Sequence, residues 1–400
     1  MTEYHRNPLK NVEVLARAKL HHSALNSFLI EYEARKLGCR VLRLSDFLVQ
    51  VTTPQGVSDF FRRACGPQVS RAAYLLSMNK RQTKEIWKAA GIPVSDGLAL
   101  GPNGFDHALE FAWENDWNIV LKPNDGAGGK GVFASINSKD QLKTCWGKLF
   151  NPPKGRKAKI EVLIERKFIG QDFRVFMVNG EVAAAQERRR PFILGDGVKT
   201  VRDLINAKIE VRMSNPDLYS RPLKIDTELH QCLDNEGLNF DSVLNDGQSV
   251  VLRGNANLST GGENYDITSK LSDEVRALFS KAALSISRYG TCALDVFGRD
   301  VDALNRADQT DLIFNEVETD AGMCIHHFPM FGQPVNVARR VICAAFPDIE
   351  PEDSGPYNYD FDDNAGLVSE ILQRFSKPET QSDSTVKPEA DTGLIEPLVG

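Results

Sequence analysis

The 400-residue chain has no Cys-x-x-Cys pair, and its seven cysteines are scattered. That pattern excludes a disulfide framework or a zinc ribbon and points to reduced thiols in a cytoplasm. A basic surplus is missing as well. Lys and Arg number 48 against 54 Asp and Glu, for a net charge of −6, which argues against a general nucleic-acid binder. No run approaches the ~18 apolar residues of a membrane span. The opening MTEYHRNPLKNVEVLARAKL lacks the apolar centre of an export signal. Neither nucleic acid nor membrane is therefore an expected partner. No internal repeat or heptad pattern occurs. Self-association is compatible with this composition.

What is present is a mixture of helix and strand runs without regular βαβ alternation, which predicts an α+β protein of two or three lobes. Helices are expected over 26–38, 79–91, 104–117, 200–212, 226–236, 272–289, 334–346 and 364–376. Several have Gly or Pro at their ends. Ser138-x-x-Gln141 reads as a capping box opening a helix to about Phe150. Strands are expected over 40–51, 118–122, 160–165, 173–179, 181–187, 291–298 and 311–318, and another starts at 249. Asn179-Gly180 between two of them signals a type I′ hairpin. The polar, Pro-containing end over 377–400 has the composition of a disordered tail.

One stretch carries chemistry: IVLKPNDGAGGKGVFASI, residues 119–136. It contains Gly126-x-Gly128-x-x-Gly131. A dinucleotide site needs a helix directly after the glycines, but VFASI is strand-like and the next helix waits until Ser138. A Walker loop ends in Gly-Lys-Ser/Thr, whereas Gly129-Lys130-Gly131 stands here. A protein kinase has its lysine after the loop and carries His-Arg-Asp and Asp-Phe-Gly motifs, which are absent. Two readings stay open: a surface hairpin, or a glycine cover over phosphates with Lys122 as a fixed cation before it.

The stretch VLKPNDGAGGKGV resembles the glycine-loop region of the ATP-grasp superfamily. SMNK (77–80) resembles the upstream segment whose lysine reaches phosphate, which implies that role for Lys80 beside Lys122. LIERKFIGQDFR (163–174) resembles the hinge strand of D-alanine–D-alanine ligases. By that resemblance Glu165, Arg166 and Lys167 hold adenine, Phe168 packs beside it, and Asp172 takes the ribose. The glycine loop, Gly126, Gly128, Gly129, Lys130 and Gly131, covers the phosphates. A closer resemblance, over roughly residues 66–348, is to the ATP-grasp part of cyanophycin synthetases. It rests on ERKFIGQDFRVFMVNGEVAAAQERRRP, GDGVKTVRDLI, LRGNANLSTGG and EVETDAGMCIHHFP. The Mur-ligase-like half of those enzymes has no room here. The expected division is an N-terminal α/β region over 1–75, an ATP-grasp domain over 76–350 with its glycine lobe at about 90–165, and a C-terminal helix within 351–376.

Asp295 lies in the apolar strand CALDVFG, and Glu316 and Glu318 lie two apart in IFNEVE, on one face of a strand. If these strands pair, three carboxylates converge, and hard divalent cations (Mg²⁺ or Mn²⁺) are the natural partners, bridging ATP phosphates. The resembled pattern has Asn where Glu318 stands and Pro where Ala321 stands. Arg188, from the run Arg188 to Arg190, is the candidate for a phosphate or substrate anion, and Arg174 for the cleft rim. The arginine that D-alanine ligases place two residues before the metal Asp is Ala293 here, so Arg253 is the candidate for the acyl-phosphate charge. Asn257, Ser259, Thr260 and His326 are the expected substrate contacts. The resemblance implies a carboxylate–amine ligase for amino acids or peptides that passes through an acyl phosphate. An ATP-grasp kinase and a non-catalytic nucleotide-binding module are the alternatives.

Overall fold

The computed structural model describes residues 15, 18, 20–126, 129–152, 158–308, 310–349 and 364–375. Gly128 and the expected tail over 377–400 lie outside them. Helix α1 (His22–Lys36) leads into an antiparallel meander of β1 (Arg40–Ser45), β2 (Leu48–Thr52) and β3 (Ser58–Arg62). The single strand expected over 40–51 is therefore two. A turn at Asp46 and Phe47 divides it, with the Phe47 N–H donating to Ser45 Oγ at 3.4 Å, the local hydrogen bonding that favours Ser in turns. Helix α2 (Arg71–Ser77), which periodicity did not announce, is capped by Ser70. Helix α3 (Lys80–Ala89) is capped by Asn79.

The glycine lobe has β4 (Gly97–Leu100), α4 (Phe105–Glu114), β5 (Ile119–Pro123), α5 (Lys139–Phe150) and β6 (Val162–Arg166), with strand order β4–β6–β5. Ile119, Leu121, Leu142, Trp146 and Ile164 fill its core. Ser138 accepts from the Gln141 N–H, but the Gln141 side chain accepts from the Asn137 N–H. The expected capping box is thus one-sided. The strand expected after the glycines is reduced to a single bridge, Leu121 to Phe133. Pro123, two residues on, has no N–H with which to continue a ladder.

The large sheet has the order β11–β8–β7–β12–β13, antiparallel throughout. Its strands are β7 (Gln171–Val178), β8 (Glu181–Arg189), β11 (Glu263–Asp266), β12 (Thr291–Gly298) and β13 (Leu312–Glu318). Asn179 and Gly180, at φ +49° and +81°, form the hairpin between β7 and β8. Between β8 and β11 the chain forms a sublobe of β9 (Phe192–Leu194), α6 (Val201–Met213), α7 (Thr227–Asn235) and β10 (Ser249–Val251). Helix α8 (Asp273–Leu284) precedes β12, and the linker before β13 holds α9 (Val301–Asn305). Then come α10 (Cys324–His327), α11 (Val337–Ala345) and α12 (Ala365–Phe375). No helix among the described residues is long and apolar enough to cross a membrane.

Alternation decides what each face of the sheet meets. Phe173, Val175 and Met177 of β7 face a core shared with Phe279 of α8. On the opposite face Asp172 and Arg174 come first, then Phe176 and Val178. The latter two pack with α1, the N-terminal meander, α11 and α12 in one continuous core. Full burial of a side chain such as Phe176 is worth about 1.5–3 kcal/mol. The N-terminal elements thus roof one end of the face whose other end is charged.

Candidate active site

Strand register assembles the charged end. Asp172 pairs with Arg188 across β7 and β8, and Asp295 of β12 stands opposite Arg174 of β7 on one side and Glu316 of β13 on the other. Glu318 stands opposite Ala293. Asp295, Glu316 and Glu318 therefore share one face, as their spacing predicts. The ladder slips between Asp295 and Val296, leaving Asn315 as an extra residue in β13. Such a bulge re-aims a side chain. The Asn315 amide oxygen accepts from Lys122 Nζ at 2.8 Å, across the cleft from the glycine lobe.

Cations alternate with these acids. Arg174 meets Asp295 at 3.2 Å and also pairs with Glu318. One nitrogen of Arg188 reaches Asp172 at 2.6 Å and Asp295 at 3.2 Å. Lys80 pairs with Glu316 at 3.0 Å and donates to the Gly126 carbonyl at the mouth of the glycine loop. Burial alone would raise the Asp295 pKa, but Arg174 and Arg188 hold it below the ordinary carboxylate range. Glu316 goes the other way: burial and neighbouring Asp295 raise it against the pull of Lys80. Burial, then repulsion from Asp295, lifts Asp172 to about 6 despite Arg188.

Among the described residues, no three His, Cys, Asp or Glu side chains gather closely enough to hold a metal ion. Each of the three expected carboxylates is paired with a cation here: Asp295 with Arg174 and Arg188, Glu316 with Lys80, and Glu318 with Arg174. Asp295 and Glu316 stand directly opposed across the strand pair. Arg188, expected to be open to an anion, is bound to Asp172 and Asp295. Arg189 instead pairs with Glu187 and stacks on Tyr265.

The hinge departs from expectation in detail. Glu165 is buried, with Lys84 on one carboxylate oxygen and Lys122 on the other, both at 2.8 Å. These lysines overcome the upward push of burial and keep its pKa low. The Arg166 N–H donates to the Asp96 carbonyl and the Lys167 N–H to the Asn118 carbonyl, so these two donors are spent within the protein. Phe168 is half-buried beside them. Lys84 was missed by sequence reasoning, although it lies four residues after Lys80, where a helix stacks side chains. Its burial, together with Lys122, lowers its pKa to about 8.

The described part of the glycine loop is closed at its base. Leu121 and Phe133 exchange backbone hydrogen bonds at 2.9 and 2.8 Å, and Gly129 and Gly131 have φ of +72° and +77°. Lys130 is exposed at the tip. The tip touches the LRGNANLSTGG segment: a side-chain carbon at Gly129 would lie 3.3 Å from the Asn257 amide nitrogen. Asn257 and Ser259 are exposed, while the Thr260 hydroxyl donates to Asn255. Arg212 of α6, fully buried, pins this segment by donating to the carbonyls of Leu258, Gly261 and Gly262 at 2.9, 3.1 and 2.6 Å. Arg253 is buried and paired with Asp226 and Glu228 at the start of α7. The expected free cation is thus engaged with acids of the sublobe. His326 is buried against Phe176, and neither ring nitrogen has a hydrogen-bond partner. Burial and the nearby Arg174 keep it neutral.

No family model matches the chain. A cyanophycin synthetase of Crocosphaera subtropica is 32% identical over 283 residues, 69% of this chain and 31% of the relative. A bifunctional glutathione biosynthesis protein of Streptococcus mutans is 26% identical over 294 residues, 71% of this chain and 38% of that one. The chain spans about a third of the length of the cyanophycin synthetases it matches. Among solved structures, a bifunctional glutathione synthetase from Pasteurella multocida superposes with a TM-score of 0.59 at 20% identity, over 79% of this chain and 44% of that chain.

Proposed function

We propose that this chain, which has the ATP-grasp fold and is related in sequence to cyanophycin synthetases, is an ATP-dependent ligase joining a carboxylate to an amine. Amino acids or peptides are its substrates. The observation that carries this reading is the meeting of two lobes at one point. Lys122 comes from the glycine lobe, Lys80 from the start of α3, which packs on the large sheet through Trp87, and Asn315, Glu316 and Asp295 from the large sheet itself. At this point four carboxylates (Asp172, Asp295, Glu316, Glu318) stand against four cations (Lys80, Lys122, Arg174, Arg188). A triphosphate would add further negative charge, so divalent cations are required with it.

Asp295 and Glu316 fit that need. They are opposed hard oxygen donors, and Mg²⁺ characteristically takes one or two carboxylates and completes its shell with phosphate oxygens. When bound, the metal neutralises charge on the transferring phosphoryl group. The chain's own groups do the rest. Lys80 and Lys122 hold the phosphates, and Glu165 fixes Lys122 in place. A substrate carboxylate oxygen attacks the γ-phosphorus, the bond to the β-phosphate oxygen breaks, and ADP is left. An amine then attacks the acyl carbon, the carbon–oxygen bond to phosphate breaks, and the amine proton leaves with the released phosphate. The glycine hairpin, closed against Asn257, keeps water from the acyl phosphate. Arg253 supplies positive charge to the acyl phosphate once Asp226 and Glu228 release it. The seven free thiols suit a reducing cytoplasm.

The test is a panel of amino acids and dipeptides with Mg-ATP, scored for phosphate release. A parallel set carries hydroxylamine in place of the amine. A ligase yields a hydroxamate, because hydroxylamine captures an activated acyl group. A stable phosphorylated product without hydroxamate would instead establish a kinase.

A further inference from the structure

Three lysines stand between the glycine lobe and the large sheet, and they share two carboxylates. Lys80 pairs with Glu316 at 3.0 Å, while Lys84 and Lys122 both pair with Glu165 at 2.8 Å, one on each oxygen. Lys122 also donates to the Asn315 amide oxygen at 2.8 Å, a neutral partner. An ammonium has three donors, so beyond Glu165 and Asn315 Lys122 keeps one N–H for a phosphate. Its charge is a different matter. A lysine alone with a buried carboxylate forms a neutral pair, and a neutral pair does not attract a triphosphate.

Glu165 is placed so that it cannot withdraw. It lies in β6, the middle strand of the glycine lobe, opposite Gly97 of β4 and Val120 of β5. A side-chain carbon at Gly97 would lie 2.7 Å from Glu165 Cγ, so β4 rests directly on the Glu165 stem. Burial pushes the Glu165 pKa up, but Lys122 and Lys84 together hold it low. The carboxylate therefore stays ionised. Lys84 reaches it from another element. Helix α3 carries Lys84 one turn after Lys80. That helix is anchored by Trp87, whose Nε1–H donates to the Ala282 carbonyl at 3.0 Å. Lys84 is itself buried, and among the described residues its ammonium has no ion-pair partner besides Glu165. Burial, then Lys122, brings its pKa to about 8, so it is protonated at neutral pH. A buried ammonium is costly unless it is matched, yet here two of them divide one carboxylate.

We propose that Lys84 sets the positive charge that Lys122 presents to the nucleotide phosphates, by taking up part of the charge of Glu165. With Lys84 in place, the group of Lys84, Glu165 and Lys122 has one positive charge in excess, and Lys122 carries it toward the cleft. Without Lys84, Lys122 and Glu165 cancel. The remaining N–H can still donate a hydrogen bond, but the attraction of a cation for the phosphates is lost, and that attraction is strong at short range in a partly buried cleft. Lys84 touches no phosphate. It is a positioning residue that acts through Glu165, in contrast to Lys80 and Lys122. This inference rests on the nucleotide site of the ligase reading given above.

The experiment measures, by calorimetry at neutral pH, the binding of Mg-ATP and of adenosine to the full chain and its variants. Adenosine has the base and ribose without phosphates, so the ratio of the two affinities isolates what the phosphates contribute. In Lys84→Met, which keeps the length of the stem, that ratio should fall about tenfold, with adenosine binding unchanged. Adding Glu165→Gln removes the carboxylate that Lys84 balanced, and the ratio should return to within about threefold of wild type. Equal losses of adenosine and Mg-ATP in Lys84→Met would make Lys84 a strut for the hinge and overturn the proposal. So would a double variant no better than Lys84→Met, because removing its partner does not restore a strut. If Lys84→Met does not fold, the double variant still decides: a ratio near that of wild type supports the charge balance, and a loss of about tenfold overturns it. Mg-ATP bound equally well by wild type and Lys84→Met overturns this inference alone. A wild-type chain that binds no Mg-ATP overturns the ligase reading and this inference with it.

Discussion

Two arginines in this chain have the same formal environment and different meanings. Arg174 and Arg253 are both buried, and each faces two carboxylates. Of the two acids beside Arg174, Glu318 is 39% exposed, but the Asp295 side chain is 9% exposed and a second guanidinium, Arg188, also leans on it. The Asp226 and Glu228 side chains beside Arg253 are about 40% exposed, at the first turn of a short helix. Water screens the second set, and such pairs are worth roughly 0–1 kcal/mol. The first set is part of a buried network, where loss of one member leaves charges uncompensated. Arg174 is therefore held through Asp295 in a buried network, while both acids of Arg253 stand open to water. Counting partners would have ranked the two alike. The burial of Asp295 and its second arginine separate them.

The sharpest way to break this contrast is Asp295→Asn. It leaves Arg174 with Glu318 alone and takes from Arg188 one of two acids. Turnover should fall by about 10³-fold, and urea unfolding should show a loss of about 3–5 kcal/mol. Mg-ATP should still bind, since Lys80 and Lys122 are untouched. Near-normal turnover would remove Asp295 from the reaction.

Arg253→Met should behave oppositely in proportion. Stability should change by only about 1 kcal/mol, while kcat falls by roughly 10²-fold, the usual effect of losing one charge-stabilising group in a transition state. An unchanged kcat would make Arg253 merely the anchor of α7.

The smallest effect concerns Asp172, whose pKa stands at about 6 against an ordinary 3.8. The folded state holds this proton more tightly than the unfolded chain. Its contribution to stability is therefore full below the unfolded value and is lost as pH rises through about 6. If ionised Asp172 receives the ribose hydroxyls, the KM for ATP should fall over the same rise. Asp172→Asn should flatten both curves. An ATP KM that is already level in wild type between about pH 5 and pH 7 would separate Asp172 from the nucleotide.

Much of this arrangement was legible in advance, for physical reasons that differ by residue. The facing of Asp295, Glu316 and Glu318 follows from strand period and apolar flanks, and Asn179-Gly180 declares its hairpin by backbone geometry alone. The glycine hairpin with Lys122 ahead of it could be told from a helix-linked loop because VFASI reads as a strand and the next helix waits until Ser138. What stayed hidden was partner choice. Nothing in the string ERKF says that Glu165 will be claimed by two lysines, one of them, Lys84, some eighty residues earlier. Likewise Arg188 and Arg253 read as free cations because their acids, Asp172 and Asp226, are brought to them only by register and by the sublobe's folding.

The bulge at Asn315 has a further consequence, seen most clearly by thinking of chain length. Phe314 pairs with Val296 and Glu316 with Asp295, so Asn315 is surplus to the ladder. Deleting it would leave every other partner of β13 in place and every side chain on its present face. A single missing codon, which in most central strands would turn a whole row of residues inside out, would here be nearly silent to the fold. It would be felt only by Lys122, which would lose the amide that reaches it across the cleft. The extra residue is thus a spacer between lobes, and its length tolerance belongs to the glycine lobe and not to the sheet that carries it.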